Sequence, residues 1–244
     1  MLSVTGRPDS ARCCSPEVPM TTAIKPIRLA LPYKSGSVNC NLITTDTGYL
    51  LIDTGSSNQR AAVEKELVSA GCQPGDLKLI VLTHGDFDHT GNAVYLREKF
   101  RAPIAMHADD VGMLERGDMF WNRQRGNVLF ELLAPAFLGF GKSQRGTPDV
   151  IIAEGDELSA YGCDAQVLHL PGHSAGSIGI LTSAGDLFCG DLLENTRQLA
   201  LNSIMDDVPA AQASVERLKS LEVKTVYPGH GQPFLWEQFI KPQG

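Results

Sequence analysis

The chain has 244 residues, of which 43% are apolar, and its formal net charge is −7. This length is enough for one large domain with a sizeable buried core. The acidic balance argues against a nucleic-acid-binding surface, which normally needs a basic stripe. No apolar run approaches the about 18 residues of a membrane span. These features predict a protein whose partner is a small-molecule substrate, rather than nucleic acid or a membrane.

The N-terminal segment differs in composition from the rest of the chain. It combines Pro, Ser and charged residues and lacks the apolar run of a signal peptide. We expect a disordered leader over residues 1–22 and a single domain over residues 23–244. The six cysteines form no Cys-x-x-Cys pair, so no disulfide framework is indicated. Together these features predict a cytoplasmic location.

The hydrophobic pattern predicts a mixture of strands and helices. Strands are expected, in chain order, at 27–31, 38–44, 49–52, 77–82, 103–107, 150–153, 165–170, 177–182, 186–189 and 225–227. Helices are expected at 58–70, 91–100 and 208–221. Many strands are separated by turns too short for a crossover helix, which indicates a mixed sheet with helices packed outside it.

Residues 109–148 interrupt this order. They are rich in apolar and aromatic side chains, with few charges after Glu131. We expect a helical insert of two or three short helices. Two alternatives remain open for its role: ordinary core or the contact face of a homodimer, and a lid or wall over a functional site that favours an apolar substrate.

The most distinctive motif is the loop that follows the apolar strand at 77–82. Its sequence, Thr83 to Asn92, contains four potential metal ligands within six residues: His84, Asp86, Asp88 and His89. Imidazole suits zinc and iron, whereas carboxylate suits harder divalent ions. The combination predicts a site for a divalent transition metal.

Three later segments place one His or Asp beside a glycine after a predicted strand. These segments are Pro171-Gly172-His173, Gly190-Asp191 and Pro228-Gly229-His230. Because glycine permits a tight turn and close backbone approach, we expect each donor in a turn at a strand end, directed at a shared centre. Four of the six histidines lie in these segments and the first loop, which indicates one common site.

Together the four segments resemble the metallo-β-lactamase superfamily. The family's first loop reads His-x-His-x-Asp-His, and a distant His, an Asp and a final His follow it. The order and spacing match here over about residues 27–232. The resemblance implies an α/β fold, a four-layer αββα sandwich, with the site along one edge between the two sheets.

The resemblance also implies two divalent metal ions, with zinc expected first and iron or manganese as alternatives. The first site would be formed by His84, Asp86 and His173. The second site would be formed by Asp88, His89 and His230. Asp191 would bridge the two ions.

Asp86 departs from the family pattern because it replaces the second histidine of the loop. A carboxylate there lowers the positive charge of the centre and shifts its preference toward harder ions. Two roles are open for it: direct ligand, or acceptor that orients a ligating imidazole. Asp53 matches a family aspartate below the metals and is expected to support them in the second way. His107 and His169 are expected to pack rather than to bind metal.

The expected function is hydrolysis of an ester, lactone or thioester carbonyl by a hydroxide that bridges the two ions. Asp88 is the expected catalytic residue, relaying a proton to the leaving group. Two other classes remain open. One is a di-iron redox protein similar to the flavodiiron proteins, which reduces oxygen or nitric oxide. The other is a metal-binding module without catalysis, since a fold does not determine a function.

Overall fold

The computed structural model of the protein describes residues 23–31, 36–123 and 145–241. The predicted leader lies outside the described residues, and so does the centre of the predicted insert, residues 124–144. Most aromatic side chains on which the lid and dimer alternatives depend fall in that central part. In the described ranges, no helix has the length and apolar character needed to span a membrane.

The described residues form twelve strands and six α-helices. The strands are β1 (Ala23–Ala30), β2 (Ser37–Thr45), β3 (Gly48–Ile52), β4 (Leu77–Val81), β5 (Ile104–Met106), β6 (Val150–Ile151), β7 (Ala165–His169), β8 (Ile178–Thr182), β9 (Asp186–Asn195), β10 (Leu199–Leu201), β11 (Thr225–Gly231) and β12 (Phe234–Leu235). The helices are α1 (Arg60–Ser69), α2 (Phe87–Thr90), α3 (Ala93–Phe100), α4 (Val111–Arg116), α5 (Val208–Leu218) and α6 (Trp236–Ile240).

The strands form one mixed, curled sheet, as the short connections predict. Its main order is β6-β5-β4-β3-β2-β11-β9-β8-β7, with β1, β10 and β12 attached to β2, β9 and β11. The run from β3 to β6 is parallel, whereas β1–β3 and β7–β9 pair antiparallel. The two halves meet where β2 pairs with β11 at Val38 and His230. This junction brings a predicted ligand to the seam of the sheet.

Three apolar clusters define four layers. In β3, Leu50 and Ile52 face the opposite half of the sheet, where they share a cluster with Ile180 and Phe188. Leu51 faces the other way, toward α1, because successive strand side chains alternate between faces. On the far side, α5 covers β9 and β11 through a third cluster that includes Leu218 and Val226. The predicted αββα sandwich is therefore confirmed.

Two strands are longer than predicted, and this changes where two predicted ligands lie. Asp191 is inside β9 and His230 is inside β11, so neither is in a turn at a strand end, contrary to the prediction. The glycines beside them do not end the strands but accompany irregular pairing. The register of β11 against β9 shifts on both sides of Pro228. Such bulges re-aim side chains without ending the strand.

Smaller differences concern helices. The helix predicted at 91–100 is two helices, α2 and α3, and the one predicted at 58–70 begins with a 3-10 turn at Ser57–Gln59. The described part of the predicted insert contains a 3-10 turn at Ala108–Asp110, then α4, then the turns that lead to residue 123. The sequence pattern did not predict β10, β12 or α6.

Candidate metal centre

The loop after β4 is clamped to the loop after β3. The backbone N–H and hydroxyl of Thr54 both donate to the His89 carbonyl at 2.7 Å. The side-chain amide of Asn92 donates to the carbonyls of Thr54 and Ser56 at 2.8 and 2.9 Å. Asp86 precedes the one-turn helix α2 but makes no side-chain cap to it, so its carboxylate is free to face the site.

All seven predicted ligands converge on one place. The ligand atoms form three sets, and within each set all atoms lie within 4.8 Å of one another. The sets are His84, Asp86 and His173; His84, His89 and Asp191; and Asp88, His89 and His230. The first and third sets are the two groups that the resemblance implies. Asp191 lies between them, with one oxygen 3.3 Å from His89 Nε2 and the other 3.1 Å from His230 Nε2. This is the position that a bridging ligand requires.

The four imidazoles of the centre share one orientation. Each directs Nδ1 outward to an acceptor at 2.7–2.9 Å and Nε2 inward. The acceptors, in chain order of the histidines, are the Thr83 hydroxyl, the Asp53 carboxylate, the Ile204 carbonyl and the Ser37 carbonyl. Because an outward acceptor holds the proton on Nδ1, the lone pair of Nε2 faces the centre. Four imidazoles therefore present an Nε2 to the same place.

Several buried atoms at the centre have no hydrogen-bond partner. They are Nε2 of His84, Nε2 of His89 and Oδ1 of Asp191. Buried polar atoms without partners are costly and uncommon in native proteins. Moreover, His89 Nε2 and Asp191 Oδ1 are both acceptors when Nδ1 of His89 carries the proton, so a cation between them would be favourable. The residues present therefore fit divalent metal ions.

The charged side chains of the centre pair with one another. Burial opposes ionisation of Asp191, but His230 and His89 hold the pKa of that carboxyl well below its ordinary value. Burial likewise opposes protonation of His230, yet Asp191 raises the pKa of that imidazole to about 9. Burial raises the pKa of Asp88, and the neighbouring histidines offset it only in part. A metal ion bound to Nε2 of His230 would therefore displace a proton.

Two buried aspartates below the centre support the ligand loops. Asp53 accepts from the backbone and hydroxyl of Thr83 at 2.9 and 2.8 Å and contacts His89 Nδ1 at 2.8 Å. Asp110 accepts from the Gly85 and Gly176 backbones at 3.1 and 2.8 Å. It thereby joins the loop of His84 to the loop of His173. The sequence pattern predicts the place of Asp53 but gives no signal for Asp110.

Gly229 sits where no side chain fits. A Cβ built on it would lie 2.1 Å from Asp191 Oδ1 and 2.8 Å from His89 Cε1. Glycine at this bulge therefore lets β11 approach the bridging carboxylate, as expected where a backbone comes close to a site.

Arg123 is a residue of the site that the sequence pattern does not reveal. It lies at the end of the described first part of the insert, and its side chain is only 6% exposed. Its Nη1 is 2.9 Å from Asp86 Oδ1, and its Nε is 2.9 Å from Asp206 Oδ2. Burial opposes ionisation of Asp86, but Arg123 and His173 hold the pKa of that carboxyl well below its ordinary value.

His107 and His169 stack on each other, with ring centroids 4.4 Å apart and planes 7° from parallel. Together with Asp109 they form another close group of potential ligand atoms. An imidazole lone pair lies in the plane of its ring, so two stacked parallel rings cannot both direct a lone pair at one ion. The geometry favours the predicted packing role over metal binding.

Comparison with known proteins places this geometry among relatives. The family model described as the metallo-beta-lactamase superfamily matches residues 33–230. Hydroxyacylglutathione hydrolase GloC of Haemophilus influenzae is 29% identical over 67% of this chain and 70% of its own length. The acyl-coenzyme A thioesterase MBLAC2 of Gallus gallus is 30% identical over 67% of this chain, and the match spans only 60% of that protein.

Solved structures agree with this result. The structure of TTHA1623 in a di-iron-bound form has a TM-score of 0.67 and 29% identity, and the match covers 89% of this chain and 98% of that one. An archaeal member of the superfamily from Sulfolobus tokodaii, ST1585, has a TM-score of 0.68 at 19% identity over 88% of this chain and 84% of that one, which shows a shared fold. The chain belongs to the metallo-beta-lactamase superfamily.

Proposed function

We propose that this protein is a metal-dependent hydrolase that cleaves acyl thioesters. The observation that carries the proposal is the convergence of seven ligand side chains, each imidazole presenting Nε2 to one buried centre. The thioester class is favoured because two relatives of different substrate type, GloC and MBLAC2, are named for thioester hydrolysis. Their common feature is the thioester bond rather than the thiol that carries it.

The ligand groups would hold two divalent ions in the arrangement that the resemblance implies. One ion would be held by His84, Asp86 and His173, and the other by Asp88, His89 and His230, with Asp191 shared. When bound, such ions supply Lewis acidity toward a carbonyl oxygen and lower the pKa of water. The chain's own contribution is to fix the ligand geometry and to move protons.

Asp88 is the residue of the centre best placed to move a proton. Its carboxylate is 11% exposed, and one oxygen lies 3.6 Å from His230 Nε2. The carboxylates of Asp86 and Asp191 are less exposed, at 8% and 6%. A proton relay must reach the leaving group, so the most exposed carboxylate is the best candidate. We therefore assign proton transfer to Asp88 and charge balance to the other two.

A second candidate function is di-iron redox chemistry. The observation that favours it is the carboxylate-rich first site together with a 29% identical neighbour solved with two irons. Iron occupancy alone does not distinguish the candidates, because iron also supports hydrolysis. Oxygen or nitric-oxide consumption distinguishes them.

The experiment is a substrate panel assayed with protein loaded separately with zinc, iron and manganese. The panel would hold acyl-coenzyme A thioesters, an S-acylglutathione, an acyl lactone and an oxygen ester of the same acyl group. We expect thioester cleavage to exceed oxygen-ester cleavage, and His84→Ala to abolish it. Lys219→Gln, which removes an exposed ion pair with Glu216 at the end of α5, is the control and should match the unmodified protein. Oxygen consumption without thioester turnover would reject the hydrolase.

Asp88→Asn tests the proton relay within the same panel. A thiol leaving group has a pKa of roughly 8.5, so it departs with less help from a proton than an alcohol does. We therefore expect Asp88→Asn to lower kcat by about 10²–10⁴ for the oxygen ester, and by less for the thioester. An equal loss for both leaving groups would remove the proton relay from Asp88.

A further inference from the structure

Arg123 connects the insert to the metal centre through three contacts. Besides its ion pairs with Asp86 and Asp206, its Nη2 donates to the His173 carbonyl at 3.3 Å. A buried guanidinium so close to a proposed metal ligand is unexpected, because its charge repels a cation. It must either compete with the ion or adjust the ligand.

The two oxygens of Asp86 are divided between different partners. Oδ1 faces Arg123, whereas Oδ2 lies 3.1 Å from His173 Nε2 and 3.9 Å from His84 Nε2. Arg123 therefore occupies one oxygen and leaves the other directed at the first metal site. A carboxylate held in this way can offer an ion one donor atom, as an imidazole does.

The charges lead to the same conclusion. Two divalent ions facing the carboxylates of Asp86, Asp88 and Asp191 carry one net positive charge. With a histidine in place of Asp86 they would carry two. The guanidinium of Arg123 restores the second positive charge. Asp206, on the other side of the guanidinium, is 28% exposed and hence partly screened by water.

The backbone before Arg123 fixes where this charge is placed. Asn122 has a φ of 65°, in the left-handed region that asparagine tolerates better than most residues. The indole of Trp121 lies directly on Gly112 of α4 and beneath the Arg116 guanidinium, 3.7 Å from it. The described part of the insert is thus anchored to α4, and it delivers its arginine to the first metal site.

We propose that Arg123 is a positioning residue that makes Asp86 equivalent to a histidine in charge and in number of donor atoms. The insert thereby sets the affinity of the first metal site. This inference rests on the proposed metal centre but not on the proposed thioester reaction.

The test is a Co²⁺ titration of metal-free full-length protein, followed by the visible absorption of bound cobalt and by chelator competition. The binding event that disappears in Asp86→Ala reports the first site. For Arg123→Gln we expect that dissociation constant to fall about tenfold or more, because a buried positive charge near the ion is removed. For Arg123→Lys we expect a value near that of the unmodified protein.

Asp86→His changes the charge at the first metal site in the opposite direction, because it removes a negative charge. Beside Arg123 the neutral imidazole leaves one positive charge too many, so we expect weaker binding at the first site. The double variant Asp86→His with Arg123→Gln should return close to the unmodified affinity. Lys219→Gln, which removes an exposed ion pair with Glu216 at the end of α5, is the control and should change nothing.

Weaker or unchanged cobalt binding in Arg123→Gln would overturn the proposal, since a merely structural arginine gives that result. If Arg123→Gln does not fold, the comparison is made in the Asp86→His background. There, cobalt affinity that fails to rise when Arg123 is also replaced by Gln overturns the proposal as well. If the unmodified protein shows no thioester turnover, the proposed reaction is rejected, but the interpretation of these titrations is unaffected.

Discussion

The Asp53 carboxylate holds a proton on Nδ1 of His89. Asp53→Asn should disturb that proton while changing the shape of the side chain very little. Asp53 is 2% exposed and takes its contacts from Thr83 and His89 through both oxygens. An asparagine keeps one acceptor for the Thr83 backbone. Its amide nitrogen then takes the place of Oδ2, next to the Thr83 hydroxyl and Nδ1 of His89. Because that nitrogen is a donor, Nδ1 of His89 is favoured as an acceptor. The proton moves to Nε2, which is the atom that should bind metal.

The size of the effect follows from the contacts. Loss of a partner that orients a ligating histidine typically costs 10–100-fold in metal affinity, which is about 1.4–2.8 kcal/mol. Hydrogen bonds to a charged group contribute about 1.5–3 kcal/mol each, so the metal-free variant should also lose about 2–3 kcal/mol of unfolding free energy. Chelator competition measures the first quantity and denaturant unfolding of metal-free protein measures the second.

Asp110→Asn is the matched comparison because Asp110 is also fully buried but contacts backbone and hydroxyl groups rather than an imidazole. It should lower stability by a similar amount with a smaller loss of metal affinity. Equal affinity losses in the two variants would refute the tautomer argument, and so would an Asp53→Asn protein that binds metal as tightly as the unmodified one.

Three further predictions concern the bulge, the protons and the sheet core. Gly229→Ala should displace the Asp191 carboxylate, 2.1 Å from the added carbon, and remove at least one ion per chain by elemental analysis; two retained ions would contradict the geometry. The pKa of His230 is raised to about 9, so a proton must leave that imidazole when metal binds. The apparent metal affinity should therefore rise up to about tenfold per pH unit from pH 7 to 9. A metal affinity that calorimetry finds unchanged over this range would contradict the prediction. Leu79→Ala should cost about 2–5 kcal/mol in chemical unfolding because Leu79 is fully buried between the sheet halves, without changing metal content.

The fold could be predicted from local patterns where burial is simple. The apolar run of β4 and the spacing of α5 identify those elements, since β4 is buried almost throughout and α5 buries one face that includes Ala211, Val215 and Leu218. The motif residues could be predicted because four short segments carry the ligands in a fixed order. Their local structure could not: Gly190 and Pro228-Gly229 are typical of strand ends, yet β9 and β11 pair with each other through them.

Arg123, Asp110 and Asp206 could not be predicted for a different reason. Each acts on the site through a contact with a residue far away in the chain, such as the pairing of Arg123 with Asp86. No periodicity or spacing rule relates an insert to the loop beneath it. An arginine among apolar residues could equally be a surface residue, and only the packed structure distinguishes the two.

We propose that seven side chains form one centre for two divalent ions, with Asp86 as a ligand of the first. The most direct measurement is elemental analysis of full-length protein after saturation with zinc and exhaustive dialysis, in parallel with Asp86→Ala. We predict two ions per chain in the unmodified protein, and one in the variant. One ion per chain in both proteins would contradict it, because Asp86 would then hold no metal.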